Sequence, residues 1–158
     1  MAIQHEKFLK QAIELAVDSV RQGVGGPFGA LIVKNGKVIA TGTNRVTAAN
    51  DPTAHAEIMA IRAACQNIGS FRLESCIVYT SCEPCPMCLG AIYWARVKAF
   101  YFAANKEDAA RAQFDDSFIY RELHKAAVKR TIPGHRLLAE EGFHPFEEWL
   151  NTQNKVAY

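Results

Sequence analysis

Two short patterns constrain this chain more than any other feature: His55-Ala56-Glu57, and further along Pro84-Cys85-Pro86-Met87-Cys88. Cys85 and Cys88 are three residues apart, so on a helix they share a face and can grip one ion. His55 and Glu57 are two apart, about 200° around a helix, and cannot share a face in mid-helix. They converge only at a helix start, where the Cα–Cβ bonds lean towards the N-terminus. The spacing therefore expects two helix N-termini facing each other around one metal ion. Such ends also lower thiolate pKa and favour anionic ligands.

A set of three ligands, His55, Cys85 and Cys88, leaves a fourth tetrahedral position for water, the mark of a catalytic zinc. Two thiolates soften the charge of the ion, so help from a base is expected. Glu57 is not needed as a ligand, and it fits the role of moving protons between that water and a leaving group. His-x-Glu alone is a chance pattern, and Cys-x-x-Cys alone also serves redox and structural sites. Together, with Pro84 before the first cysteine and a helix–strand segment between, they match the zinc deaminase signature. Cys82 extends the run to C-x2-C-x2-C, three-quarters of an iron–sulfur pattern, but the fourth cysteine is absent. It reads as a buried or loop thiol, and Cys65 and Cys76 read as core residues.

The rest of the chain supports one globular domain spanning residues 1–158, with a tail from 142 to 158. A length of 158 residues suits a single core. Apolar spacing at Leu9, Ile13, Ala16 and Val20 predicts a helix over 4–22, stopped at Gly23. Ala30–Val33 and Lys37–Thr41 read as strands joined by an Asn35-Gly36 hairpin turn. A polar loop follows over 44–51, then a helix capped by Thr53 and ending near Ile68 before Gly69. Cys76–Thr80 and Val97–Ala103 read as strands flanking a helix over 84–95 with a proline in its first turn, a βαβ unit with a parallel pair. Residues 106–129 read as one or two helices, and 136–138 as a short edge strand. The order implies a three-layer α/β/α sandwich with a central mixed sheet.

Composition excludes several classes. Five cysteines, three of them within seven residues, argue for thiolates in a reducing, cytoplasmic compartment. No stretch resembles a signal peptide or a membrane span. A net charge of +2 argues against a dedicated nucleic-acid binder, and the basic run over 125–130 reads as the solvated side of a helix.

On these motifs the chain resembles the cytidine deaminase-like superfamily of zinc deaminases, and looks most like its bacterial guanine deaminase branch. The resemblance runs from Gly25-Gly26-Pro27-Phe28-Gly29-Ala30, through the segment 50–57, to Thr80-Ser81-Cys82-Glu83-Pro84-Cys85 and on to Arg96, with Asp115-Asp116-Ser117-Phe118 and the tail adding weaker features. It implies one Zn2+ per subunit and hydrolysis of guanine to xanthine and ammonia, with water attacking C2. It places the Ala56 and Cys85 backbone amides near the substrate or the new oxygen. It gives Asn44 a base edge, where the sequence alone allows a turn residue. It gives Phe28 and Trp94 the purine faces, where core packing is the alternative. It gives Asp116 the guanine N–H groups, where a helix cap beside Asp115 is the alternative. It also implies a domain-swapped homodimer in which Tyr158 closes a partner's site; alone, Tyr158 reads as a chain end.

Two rivals share part of this reading. A tRNA adenosine deaminase, or a deaminase of cytosine-type bases, has the same zinc core. A non-enzymatic zinc module needs a fourth protein ligand, for which Cys82 is the nearby candidate.

Overall fold

The computed structural model describes residues 2–158. The chain divides into two compact units, Met1–Ser117 and Phe118–Tyr158. The first unit opens with helix α1 (Ala2–Arg21). Hairpin strands β1 (Gly29–Lys34) and β2 (Lys37–Thr43) follow. Asn35 and Gly36 between them both have positive φ, 50° and 74°, as the predicted two-residue turn demands.

A short helix α2 (Val46–Ala49) occupies what the sequence predicts as plain loop. Then come α3 (Ala56–Ile68), β3 (Cys76–Cys82), α4 (Pro86–Trp94), β4 (Ala99–Ala104) and α5 (Lys106–Arg111). Gly69 ends α3 in the left-handed conformation expected of it (φ 65°).

The sheet order is β2-β1-β3-β4. Strand β1 is antiparallel to both β2 and β3, and β3 is parallel to β4 across the α4 crossover. Alternation along the strands sorts the core into two layers. Leu31, Val33 and Tyr79 pack with Phe8 and Ala12 of α1. Ala30, Ile32, Cys76 and Val78 pack with Ala56, Ala60 and Ala64 of α3 and Ile92 of α4. The result is the expected three-layer sandwich around a mixed sheet.

The structure corrects the sequence reading in several places. Helix α1 buries Phe8, Ala12, Ala16 and Ser19, while Ile13 and Val20 stay 41% and 51% exposed. The small side chains face the sheet because α1 runs against β1 so closely that a Cβ on Gly29 would lie 2.4 Å from the Ala12 carbonyl oxygen. Thr53 does not cap α3; its N–H and hydroxyl both bond Asp51 Oδ1, at 2.8 and 2.7 Å. Pro86, not Pro84, takes the first position of α4. Residues 136–138 form no strand.

The second unit contains most of α6 (Ser117–Leu123), two single 3₁₀ turns, Ala127–Lys129 and Glu141–Phe143, and α7 (His144–Asn151). The basic run over 125–130 is thus a 3₁₀ turn and its flanks rather than a helix face. Glu122 ties it down: its carboxylate accepts from Lys125 Nζ at 2.5 Å and from the Thr131 N–H at 2.6 Å. No residue of this unit is buried. Ile132, Leu137, Phe146, Leu150 and Val156 are all exposed.

Candidate metal centre

The sequence places His55 and Cys85 at helix starts, and both are N-cap residues. His55 caps α3 with extended backbone (φ −73°, ψ 158°), and Cys85 caps α4 (φ −64°, ψ 167°). Neither side chain bonds the helix it caps. N-caps favour Ser, Thr, Asp or Asn, whose oxygen satisfies an open N–H. Here the side chains turn to each other instead. His55 Nδ1 lies 3.5 Å from Cys85 Sγ and 3.6 Å from Cys88 Sγ.

These distances test whether an ion fits. A tetrahedral zinc with Zn–S near 2.3 Å and Zn–N near 2.0–2.1 Å separates N from S by about 3.6 Å. The three side chains offer one ligand atom each, all within 4.8 Å of one another, and form the one such group among the described residues. Cys82 stands outside it. Its thiol is buried at the end of β3 and donates to the Asn105 carbonyl at 3.7 Å. Burial pushes its pKa up to about 11, so it is an inert thiol.

The thiols of the triad are unlike Cys82. The hydrogen bond from Cys88, aided by His55, lowers Cys85 to about 4. Cys88 moves the other way, because it donates to Cys85 and is buried. One thiolate is thus ready, and a cation replaces the proton on the second. The hydrogen bond with Cys85 likewise raises His55.

Glu57 is the second residue of α3 and is 5% exposed. Because His55 is not helical, the two side chains are not bound to opposite faces. The Thr80 hydroxyl donates to Glu57 Oε1 at 2.9 Å. Burial holds the carboxyl above the usual range, against its own N–H, Thr80 and Cys88, which lower it.

The backbone supplies two further donors. The α3 ladder begins with Met59 N–H to His55 C=O at 3.0 Å, and that of α4 with Leu89 N–H to Cys85 C=O at 2.8 Å. The Ala56 and Cys85 amides lie outside these ladders, as the first N–H groups of any helix do.

The remaining candidates fall in different places. Asn44 follows β2 and is 8% exposed; its Oδ1 accepts from Val46 N–H at 3.2 Å and Gly26 N–H at 3.4 Å. Gly25 is required beside it, since a Cβ there would lie 2.0 Å from the Asn44 carbonyl oxygen. Phe28 is half-buried and meets Phe114 edge-on, with centroids 5.0 Å apart. Trp94 is the last residue of α4, 66% exposed, at the opposite end of that helix from Cys85. Asp116 precedes α6 and senses the negative charge of Cys85, Asp115 and Glu83; burial is the larger cause that raises its carboxyl. Tyr158 ends the second unit and is exposed.

Sequence reasoning missed Thr80. Its signal was a hydroxyl in a strand row that begins with Cys76 and Val78, both fully buried core.

Fold and site define a zinc-binding deaminase. Residues 2–104 match the cytidine and deoxycytidylate deaminase zinc-binding region, and the chain belongs to that family, with zinc as its cofactor. It is 58% identical over 156 residues to the guanine deaminase of Bacillus subtilis (strain 168), covering 99% of this chain and 100% of that one. The crystal structure of guanine deaminase from Bacillus subtilis has a TM-score of 0.95 to it at 59% identity, with 98% of each chain covered. The tRNA-specific adenosine deaminase of Buchnera aphidicola subsp. Schizaphis graminum is 42% identical over 107 residues, 67% of this chain and 71% of that protein.

Proposed function

We propose that the chain hydrolyses guanine to xanthine and ammonia, in purine breakdown or salvage. The observation that carries this reading is an ion site at two helix N-termini beside a buried Glu57, in a chain alike over 99% of its length to a guanine deaminase. His55, Cys85 and Cys88 would hold one Zn2+ per subunit, and the ion would supply Lewis-acid chemistry that activates a water for attack.

The residues of the chain then divide the work. Glu57 accepts the proton of the attacking water as its oxygen bonds to C2. It passes that proton to the ring nitrogen beside C2, takes a second proton from the new hydroxyl on C2 as the C=O forms, and delivers it to the amine as the C2–N bond breaks and ammonia leaves. The Ala56 and Cys85 amides at their helix ends are suited to oxygen developing negative charge. Asn44 presents its NH2 to an acceptor on the purine edge. Asp116 accepts from guanine N–H groups. Phe28 covers a face of the base, since purines stack on aromatic rings.

The same reading takes residues 1–158 as one deaminase domain working as a cytoplasmic homodimer. The exposed apolar side chains of the second unit support a partner that covers them, with the tail over 142–158 exchanged between subunits and Tyr158 closing the partner's site. No described helix is long and apolar enough to cross a membrane.

The rival substrate is an adenosine in tRNA. The match to the tRNA deaminase covers 67% of this chain, against 99% for the guanine deaminase. Incubation with free guanine and, separately, with an anticodon stem-loop distinguishes them. Xanthine and ammonia from guanine are expected; inosine in the stem-loop with guanine untouched rejects the proposal. Cytosine in a third tube tests the pyrimidine alternative.

A further inference from the structure

We propose that Thr80 is a positioning residue for the deamination: its hydroxyl pins Oε1 of Glu57 so that the other carboxyl oxygen alone carries the proton. Thr80 is fully buried in β3, where Ala30 of β1 and Phe102 of β4 flank it. Its row on the strand faces the α3 layer, and Cys76 and Val78, the two members of that row before it, are fully buried core residues. A valine fills such a position with the same branching. The hydroxyl is therefore not needed for packing, and among the described residues its hydrogen-bond partner is Glu57 Oε1, 2.9 Å away.

The bond is well placed for a carboxyl that changes protonation twice per turnover. The Thr80 hydroxyl donates to Oε1 when Glu57 is ionised. It still donates when Glu57 carries a proton on Oε2, because Oε1 is then the carbonyl oxygen. A proton on Oε1 would force the hydroxyl to turn from donor to acceptor and would take away the acceptor of its own hydrogen in a fully buried position. One oxygen is held and the other is left to move protons between water, ring nitrogen and amine. A Cys88 sulfur bound to an ion has no proton to donate, so Thr80 is the side-chain donor that stays in the working enzyme. The β-branched side chain also has few rotamers, and the strand fixes the direction of its hydroxyl.

The inference rests on the reading of Glu57 as the proton carrier in guanine turnover, so Glu57→Gln is the reference. The test measures zinc content, Tm, kcat and KM for wild type, Thr80→Val and Thr80→Ser, and for Thr80→Val in the Glu57→Gln background. Outer-shell partners in metal sites are typically worth roughly 10–100-fold in activity. Thr80→Val is expected to lower kcat by that factor, with zinc content and KM held. Thr80→Ser is expected to restore most of kcat, and Thr80→Val to add nothing to Glu57→Gln. A wild-type kcat in Thr80→Val overturns the proposal. So does a Thr80→Ser protein as slow as Thr80→Val, which assigns the loss to packing. If Thr80→Val does not fold, Thr80→Ser against Thr80→Ala isolates the hydroxyl at smaller volume, and equal kcat values overturn the proposal. Full turnover by Glu57→Gln instead overturns the underlying assignment of Glu57.

Discussion

A Cβ placed on Gly42 would lie 2.2 Å from the carbonyl oxygen of Ala56, so β2 and the first turn of α3 meet backbone to backbone beside the metal group. The same Cβ would come within 2.5 Å of Ala60 N, which leaves no flexible side chain to yield. Gly42→Ala must therefore push α3 away from the sheet. We expect a loss of about 1–3 kcal/mol, the usual range for forcing extra carbon into packed structure. Because α3 carries His55 and Glu57, zinc content per chain should fall as well. Thermal unfolding and metal analysis of the purified variant check both; an unchanged Tm with full zinc contradicts the argument.

Glu57→Gln keeps the shape of the side chain and removes its ability to take a proton. Turnover of guanine should drop by about 10²–10⁴-fold, the range for a positioned acid–base group. Zinc content should stay at the wild-type level. His55→Ala and Cys88→Ser should instead lose both. A non-enzymatic zinc module predicts no guanine turnover in the wild type at all, and the same assays detect it.

Removing the metal exposes the unequal thiols. Cys85 sits near pKa 4 with Cys88 and His55 beside it, whereas Cys82 sits near 11. At pH 6 the chelated protein should therefore react with iodoacetamide first at Cys85, and Cys82 should stay intact. The zinc-loaded protein should be protected at Cys85. Peptide mass spectrometry after a short exposure reads the order; alkylation of Cys82 ahead of Cys85 overturns it.

If Asp116 binds the base as proposed, it links substrate binding to pH. Burial holds its carboxyl above the ordinary carboxylate range, with Cys85 and Asp115 adding to the shift. On the proposed reading it accepts guanine N–H groups as a carboxylate, and it is protonated as pH falls through its raised pKa. KM for guanine should therefore rise on the acid side at a higher pH than an ordinary aspartate would give. Asp116→Asn should raise KM throughout and flatten that acid-side dependence. Steady-state kinetics across the acid range test both statements, and an unaltered KM profile in the variant removes Asp116 from the site.

Deleting residues 154–158 addresses the tail. If Tyr158 closes a site, guanine turnover falls while zinc content and Tm hold. Sedimentation of the wild type and the truncated chain tests the dimer in parallel. Unchanged kinetics in the truncated protein take Tyr158 out of the site.

Much of this was legible because local chemistry forces it. Asn35-Gly36 needs positive φ at both residues, and the hairpin follows. The short apolar, β-branched run over Cys76–Thr80 calls for burial on both faces, and β3 is a central strand. What was not legible was decided by contacts between distant segments. The buried face of α1 could not be read from its large residues, because the approach of Gly29 selects Ala12 and Ala16. Thr53 looked like the natural cap of α3, but Asp51 holds it and His55 takes the position.

The site divides along the same line. The sequence by itself determined the ligand types and the free carboxylate, because His55, Glu57, Cys85 and Cys88 at those spacings converge only at helix starts. Only the tertiary structure decided how they converge. Caps thirty residues apart in the chain meet at 3.5 Å because Gly42 lets α3 close on the sheet, and Thr80 reaches Glu57 from β3. Spacing along a chain sets which side chains share a helix end. Distances across a sheet depend on packing, and packing belongs to no single segment.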